Sequence, residues 1–179
     1  LDTWYENNIK GTTNEQYIAD NLFCNDRSFA PNNSGTGAGE SKTYYRWSNF
    51  HGDRYNNKMM LTCPQKNDAF TVSDTTNGNG ALTYPVGLLS TDEIALAGGW
   101  NASNSVYYLY SGKVWLASSS DIFNDAGALV RCVYSNGKAD GDCIVSNAFG
   151  VRPVFNLKAD TLAQGSGTAS DPYRISLTS

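Results

Sequence analysis

The chain has 179 residues, a net charge of −4 and a pI of about 4.8. That length suits one domain around one core, and the absence of a basic patch speaks against nucleic acid as a partner. Only 17% of the residues are charged, against the usual ~25%. Asn, Ser, Thr and Gly stand where a helical protein carries Lys and Glu, so a loop-rich chain with few helices is expected. No apolar run approaches the ~20 residues of a bilayer span, so no direct membrane insertion is expected of this fragment. Leu1 falls inside what reads as a helix, so the chain is expected to be cut from a longer one.

Leu1, Trp4, Tyr5 and Ile9 stand at helical spacing, which predicts a short amphipathic helix stopped by Gly11. Thr12-Thr13-Asn14-Glu15 has the form of a capping box that opens a second turn or helix through Tyr17 and Ile18. Residues 31–41 are turn formers and predict an exposed loop. Residues 43–50 are aromatic-rich and predict a strand. Two apolar stretches, MMLTC and AFTV, follow, and then the turn-rich SDTTNGNG.

Pro85–Leu89 predict a short buried strand. Ser90 and Glu93 form a second capping box, ahead of a helix carried by Ile94–Ala97 and stopped by Gly98-Gly99. From residue 106 the texture is that of short strands: VYYLY, KVWLA, ALVRCVY, CIVS and VRPVFNL, separated by Ser, Asn, Gly and Asp. The tail GSGTASDPYRISL predicts a turn and a last strand. The expected fold class is α+β: a single loop-rich domain over 1–179, with two short helical regions and a small, mainly antiparallel sheet. The helix at 91–97 is expected to pack on a sheet that includes 151–157, and 161–179 to supply the C-terminal turn and last strand.

The four cysteines, Cys24, Cys63, Cys132 and Cys143, show no C-x-x-C spacing, which speaks against zinc and against a thioredoxin-like site. An even count with few charges favours an oxidising compartment. Three pairings are possible; Cys24–Cys63 and Cys132–Cys143 are the expected ones, with four buried thiols as the alternative.

Catalytic signatures are weak. His51 is the sole histidine of the chain, among turn formers in Asn49-Phe50-His51-Gly52-Asp53; a surface or structural role fits it better than that of a base. A dyad of His51 with Cys24 or Cys63 fails if both cysteines are bridged. Asp74, Asp92, Glu93, Asp121 and Asp125 lack the pairing and burial that a glycosidase acid needs, and Asp92 and Glu93 are explained as first-turn helix residues. The Asp74–Gly80 loop offers oxygen ligands but misses the EF-hand register, and an Asx-type turn accounts for it. Arg152, in an apolar strand, is expected to be buried against backbone carbonyls or a carboxylate, with anion binding as the alternative. No enzyme chemistry, cofactor or catalytic metal is expected.

The aromatic residues are the remaining lead. Trp100, Tyr107, Tyr108, Tyr110, Trp115 and Phe123 cluster among Asn and Ser. That is the composition of an antibody paratope, in which Tyr supplies rigid contact area and small polar groups supply adaptable hydrogen bonds; a hydrophobic core explains the same residues. Tyr108 and Trp115 are expected to be at least half structural. Strands 106–110 and 114–117 are expected to anchor loops around 100–125 and 135–149 that present Trp100, Asn101, Asn104, Ser119, Asp121, Phe123 and Asn124 to a protein or glycan ligand. The alternatives are a non-binding structural domain of a larger surface protein and an enzyme of unknown chemistry.

Several segments together, YIADNLFCNDRS, KNDAFTVSDTTNGNGALTYPVGLLSTDEIALAGG, YYLYSG, GVRPVFNLKAD and GSGTASDPYRI, resemble an uncharacterised family of Gram-positive bacterial extracellular proteins, often from the gut. These end in the Gly-Val-Arg-Pro motif seen here at Gly150–Pro153. The resemblance implies a secreted or cell-surface adhesion or binding role. It also implies a C-type-lectin-like fold, similar to formylglycine-generating enzymes and to the variable proteins of diversity-generating retroelements. The sequence departs from the family where Trp115–Asp121 lacks a proline and where Cys132 and Cys143 are added around one predicted hairpin, an addition best explained by a mutual bridge.

Overall fold

The computed structural model describes residues 1–25, 61–99, 102–123, 127–139, 141–144, 146–161, 163–168 and 170–175; for 119–123, 127–128, 141–142 and 163 it describes the backbone alone. Helix α1 spans Asp2–Asn8 and ends ahead of Gly11, whose φ of 73° reverses the chain. Its inward residue, Tyr5, is buried and stacks on Tyr84 at 4.9 Å between ring centroids, while the more exposed Trp4 stacks on Phe155. Tyr5 Oη donates to Glu15 Oε1 at 3.2 Å; burial and the Glu15 carboxylate push the hydroxyl pKa up to about 12.

The strands form small antiparallel groups. β1 (Ile18–Ala19) pairs with β7 (Asn156–Leu157), β2 (Phe23–Cys24) with β3 (Ala69–Phe70), and β8 (Ala163–Gln164) with β9 (Arg174–Ile175). The larger sheet joins β4 (Trp115–Phe123), β5 (Gly127–Val133) and β6 (Gly141–Ile144) in the order β4-β5-β6. Helix α2 (Thr91–Leu96) carries the complete Ser90–Glu93 capping box, with Ser90 Oγ accepting from Glu93 N and Glu93 Oε2 accepting from Ser90 N. Its Ile94 joins Tyr107, Trp115, Ala117, Val133 and Ala139 in one apolar core. The architecture is thus α+β, with two short helices and small antiparallel sheets among the described residues.

Both expected disulfides are present. Cys24–Cys63 bridges Cα atoms 5.5 Å apart and ties β2 to the segment before β3; Cys132–Cys143 bridges Cα atoms 6.1 Å apart. In the β5–β6 ladder Cys132 stands opposite Gly141 and Val130 opposite Cys143. The two cysteines are therefore diagonal neighbours on one face, close enough to bridge.

The structure corrects several local expectations. Residues 106–110 form turns rather than a strand, closed by Tyr110 N donating to Tyr107 O at 3.1 Å. Pro85–Leu89 make one bridge, Gly87 to Val154, rather than a strand. Residues 151–157 do not enter the sheet under α2: Gly150 touches Trp115 through a single parallel bridge, and Asn156–Leu157 pair instead with β1. Pro153 has no N–H to give a ladder, which helps explain why this run stays irregular. The box at Thr12 does not form. Thr12 Oγ1 donates back to Ile9 O, and the Glu15 carboxylate is taken by Gly11 N and Tyr5 Oη. A 3-10 turn over Glu15–Tyr17 follows. The expected loop at 31–41 and strand at 43–50 lie outside the described residues.

Asp20 organises the loop after β3. Its carboxylate accepts from Val72 N at 2.7 Å, Ser73 N at 2.7 Å, Ser73 Oγ at 2.8 Å and Asp74 N at 3.1 Å. Burial works to raise its pKa, but these hydrogen bonds outweigh it and hold the carboxyl below its ordinary value of 3.8. Asp74 Oδ1 in turn accepts from Thr76 N and Asn77 N, the expected Asx-type turn.

Two expected outcomes follow. Replacing Cys132 and Cys143 together with Ala removes the constraint on a loop of this length and lowers stability by about 2–3 kcal/mol in urea denaturation. For Asp20, the depressed folded-state pKa contributes stability that is present above 3.8 and is lost as pH falls through the folded value. Asp20→Asn is therefore less stable than the parent near neutrality, and the gap between them closes below pH 3.8. A gap unchanged down to acid pH in the same assay contradicts this.

Candidate binding face

Two loops meet at one end of the core. The first runs over 102–112, between α2 and β4; the second is the tight turn at 134–138 between β5 and β6. The turn closes on itself, with Tyr134 N donating to Lys138 O at 2.8 Å and Gly137 N to Tyr134 O at 2.9 Å. Asn136 then reaches across. Its backbone oxygen accepts from Asn104 N at 3.1 Å, and its Nδ2 donates to Ser103 Oγ at 2.9 Å.

The close approach depends on Gly137. Its φ is 80°, and a Cβ there would lie 1.7 Å from Asn104 O and 3.1 Å from the Tyr110 ring. Only glycine combines that backbone conformation with that proximity. On the other side of the first loop, Asn104 Nδ2 donates to Gly98 O at 3.0 Å and Asn104 Oδ1 accepts from Val106 N at 3.1 Å. Asn104, expected as a ligand contact, thus lies at this face with both ends of its amide bonded to backbone, at Gly98 and at Val106.

These bonds orient the aromatic residues. Tyr107 turns inward, 8% exposed, against Gly98 and the core. Tyr108 turns outward at 65% and Val106 at 90%, with Tyr110 at 37% beside Gly137. Tyr108 is therefore not the structural residue expected of it, whereas Trp115, 2% exposed, is. An exposed valine beside an exposed tyrosine, bordered by Ser and Asn, is an apolar spot with a polar rim, the anatomy of a small interface. The sequence places 106–110 on a strand, and strand parity does not apply to a turn, so the outward direction of Val106 and Tyr108 carries no signal in the sequence.

Of the other expected contacts, Trp100, Asn101 and Asn124 lie outside the described residues. Ser119, Asp121 and Phe123 sit on the backbone of β4, Asp121 opposite Leu129, Phe123 opposite Gly127 and Ser119 within the register shift between Leu116 and Ser120, and their side chains lie outside the description. His51 and Asp125 likewise lie outside the described residues. The structure thus joins the loops at 102–112 and 134–138 and places β4 between them in sequence.

Among the described residues no three His, Cys, Asp or Glu side chains gather as metal ligands, and no helix is long and apolar enough to cross a membrane. A cleft of about 330 Å³ lies on the other face of β4, lined by Phe23, Phe70, Val86, Leu116 and Val130. Its described lining is mainly apolar, with Asn25 and Ser118 as polar members, and brings no acid–base pair together.

Gly137→Ala is expected to separate the two loops. An alanine at positive φ already costs more than about 1 kcal/mol, and here the added methyl group must also displace the Asn104 carbonyl. The expected readout is lost amide-exchange protection at Asn104 together with lower stability; unchanged protection would show that the loops hold together by other means. Comparison of the chain with protein-family models, curated proteins and solved structures finds no match.

Proposed function

We propose that this chain is an extracellular or cell-surface binding module, without catalysis of its own, that recognises a protein or glycan through the 102–112 and 134–138 loops. The observation that carries this reading is the outward pair Val106 and Tyr108 on a loop whose backbone is locked by Asn104, Asn136 and Gly137. A pre-ordered loop avoids the entropy cost of ordering on binding. Tyrosine adds rigid contact area that is apolar on its faces and polar at its tip.

Two disulfides fit an oxidising compartment, in line with the extracellular family that the Gly-Val-Arg-Pro motif resembles. The C-type-lectin-like fold belongs to the same proposal. Two short helices, loop-rich connections and small antiparallel sheets support it. So does the irregular segment after Gly150, which touches the first strand of the larger sheet.

The test is a panel of immobilised glycans and cell-surface proteins probed with the parent chain and with Tyr108→Ala. Loss of a central aromatic anchor is expected to weaken the selected interaction by about 2 kcal/mol or more. Stability should stay within about 0.5 kcal/mol, because the ring is exposed. If the parent selects no target, or if Tyr108→Ala binds as the parent does, the face is not a binding site and the structural-domain alternative replaces it.

A further inference from the structure

The two disulfides stand in different surroundings. Cys132 and Cys143 are 2% and 3% exposed, on one face of the β5–β6 ladder. Cys24 and Cys63 are only partly buried, and Cys63 is flanked by Leu61, Thr62, Pro64 and Gln65, all of them exposed. Cys24 lines two clefts. One is the mainly apolar cleft of about 330 Å³ beside β4; the other, of about 300 Å³, is lined also by Asn21, Leu22, Leu61 and Glu93. Cys63 is not among the described lining of either.

Thiol–disulfide exchange begins with attack of a thiolate on one sulfur, so access decides which bridge reacts. A bridge enclosed in the core waits until the surrounding structure opens, whereas one at a cleft reacts from the folded state. The two halves of Cys24–Cys63 are also held unequally. Cys24 stands opposite Ala69 in the β2–β3 ladder, Ser118 Oγ of β4 donates to Cys24 O at 2.9 Å, and Asn25 N donates to Asp68 O at 2.9 Å. Cys63 lies on an irregular stretch, with no helix or strand from Leu61 through Gln65. Cys24 is thus the fixed sulfur at a cleft, and Cys63 the one free to depart.

We propose that Cys24–Cys63 is a thiol–disulfide exchange site whose substrate is a dithiol, and that Cys132–Cys143 is a permanent structural bridge. The thiolate of the dithiol attacks Cys24 Sγ, and Cys63 leaves as a thiolate that takes up a proton. The second thiol of the dithiol then attacks the mixed disulfide. The dithiol departs as its own disulfide, and Cys24 is released and protonated. Two electrons pass from the dithiol to the bridge, and its two thiol protons are balanced by those on Cys24 and Cys63. Opening removes a covalent closure across a separation of 39 residues. The β4-β5-β6 sheet, with its own bridge closed, keeps the loops at 102–112 and 134–138 in place. This site is separate from the binding face and does not rest on that reading.

The test exposes the intact, oxidised chain to dithiothreitol under native conditions, blocks new thiols with N-ethylmaleimide at intervals and maps the labelled peptides. Cys24 and Cys63 are expected to be labelled at least about tenfold faster than Cys132 and Cys143, with amide-exchange protection across β5 and β6 retained. With 2-mercaptoethanol in place of the dithiol, the mixed disulfide is expected on Cys24 and the maleimide on Cys63. The double variant Cys132→Ala/Cys143→Ala has lower global stability, yet its Cys24–Cys63 bridge should open within about twofold of the parent rate, because exchange from the folded state does not pass through unfolding.

The proposal is overturned if both bridges open at one rate, if Cys132–Cys143 opens first, or if protection across β5 and β6 is lost as Cys24–Cys63 opens. A rate that rises in the double variant in step with its lost stability would show that the bridge opens only through unfolding, which also overturns it. A mixed disulfide on Cys63 instead of Cys24 would refute the assigned point of attack.

Discussion

Burial of Trp115 is the constraint on which the rest of the structure depends. The residue opens β4, pairs with Val133 of β5 and makes the parallel bridge to Gly150. Its ring lies in the core with Ile94 of α2 and Tyr107 of the first loop, and it carries Arg152 on its face. One side chain therefore joins the larger sheet, the helix, the loop and the Gly-Val-Arg-Pro segment. A buried tryptophan typically contributes on the order of 3–5 kcal/mol relative to alanine, a large share of the stability of a domain this size. Gly150 is small for the same reason: a Cβ there would come within 2.9 Å of Val114 O.

With the core placed, the loops are positioned mainly by backbone-directed hydrogen bonds from short polar side chains. Asn136 uses its amide between the two loops and Asn104 ties the first loop to Gly98 and Val106, while Asp20 and Asp74 hold the loop after β3. Asn and Asp are suited to this because their side chains are short enough to bond the neighbouring backbone. The high Asn, Ser and Gly content is thus largely a scaffold for irregular backbone. Part of the polar surface that reads as adaptable contact in the sequence is already committed to holding the loop.

The same arrangement separates the roles of the aromatic residues. Tyr107 and Tyr108 are adjacent, yet one is core and the other surface. Trp115 provides the floor, Tyr107 the inner wall, and Val106 and Tyr108 the outward edge. Arg152 lies over the Trp115 ring and donates to the Leu109 carbonyl, which ties the segment after Gly150 to the first loop.

Several features were legible in the sequence because they depend on neighbours a few residues apart. Ser90 and Glu93 form a capping box by spacing alone, Gly11 and Gly98 take positive φ after helical segments, and Asp74 closes an Asx-type turn with Thr76 and Asn77. The two disulfides belong with these in outcome; they matched the expectation, although Cys24–Cys63 closes a 39-residue separation. Tertiary structure decided what local pattern cannot encode. VYYLY has the composition of a strand, but its backbone meets no partner strand among the described residues, and it forms turns beside the Asn104–Gly98 hydrogen bond instead. Thr12 and Glu15 have capping-box spacing, but Tyr5 and Gly11 take the carboxylate first. Which of Tyr107 and Tyr108 faces water, and that Arg152 stacks on Trp115 37 residues earlier, follow from long-range packing. Helix and turn signals are local hydrogen-bond geometry, whereas strand pairing and side-chain direction depend on a partner that only the folded chain supplies.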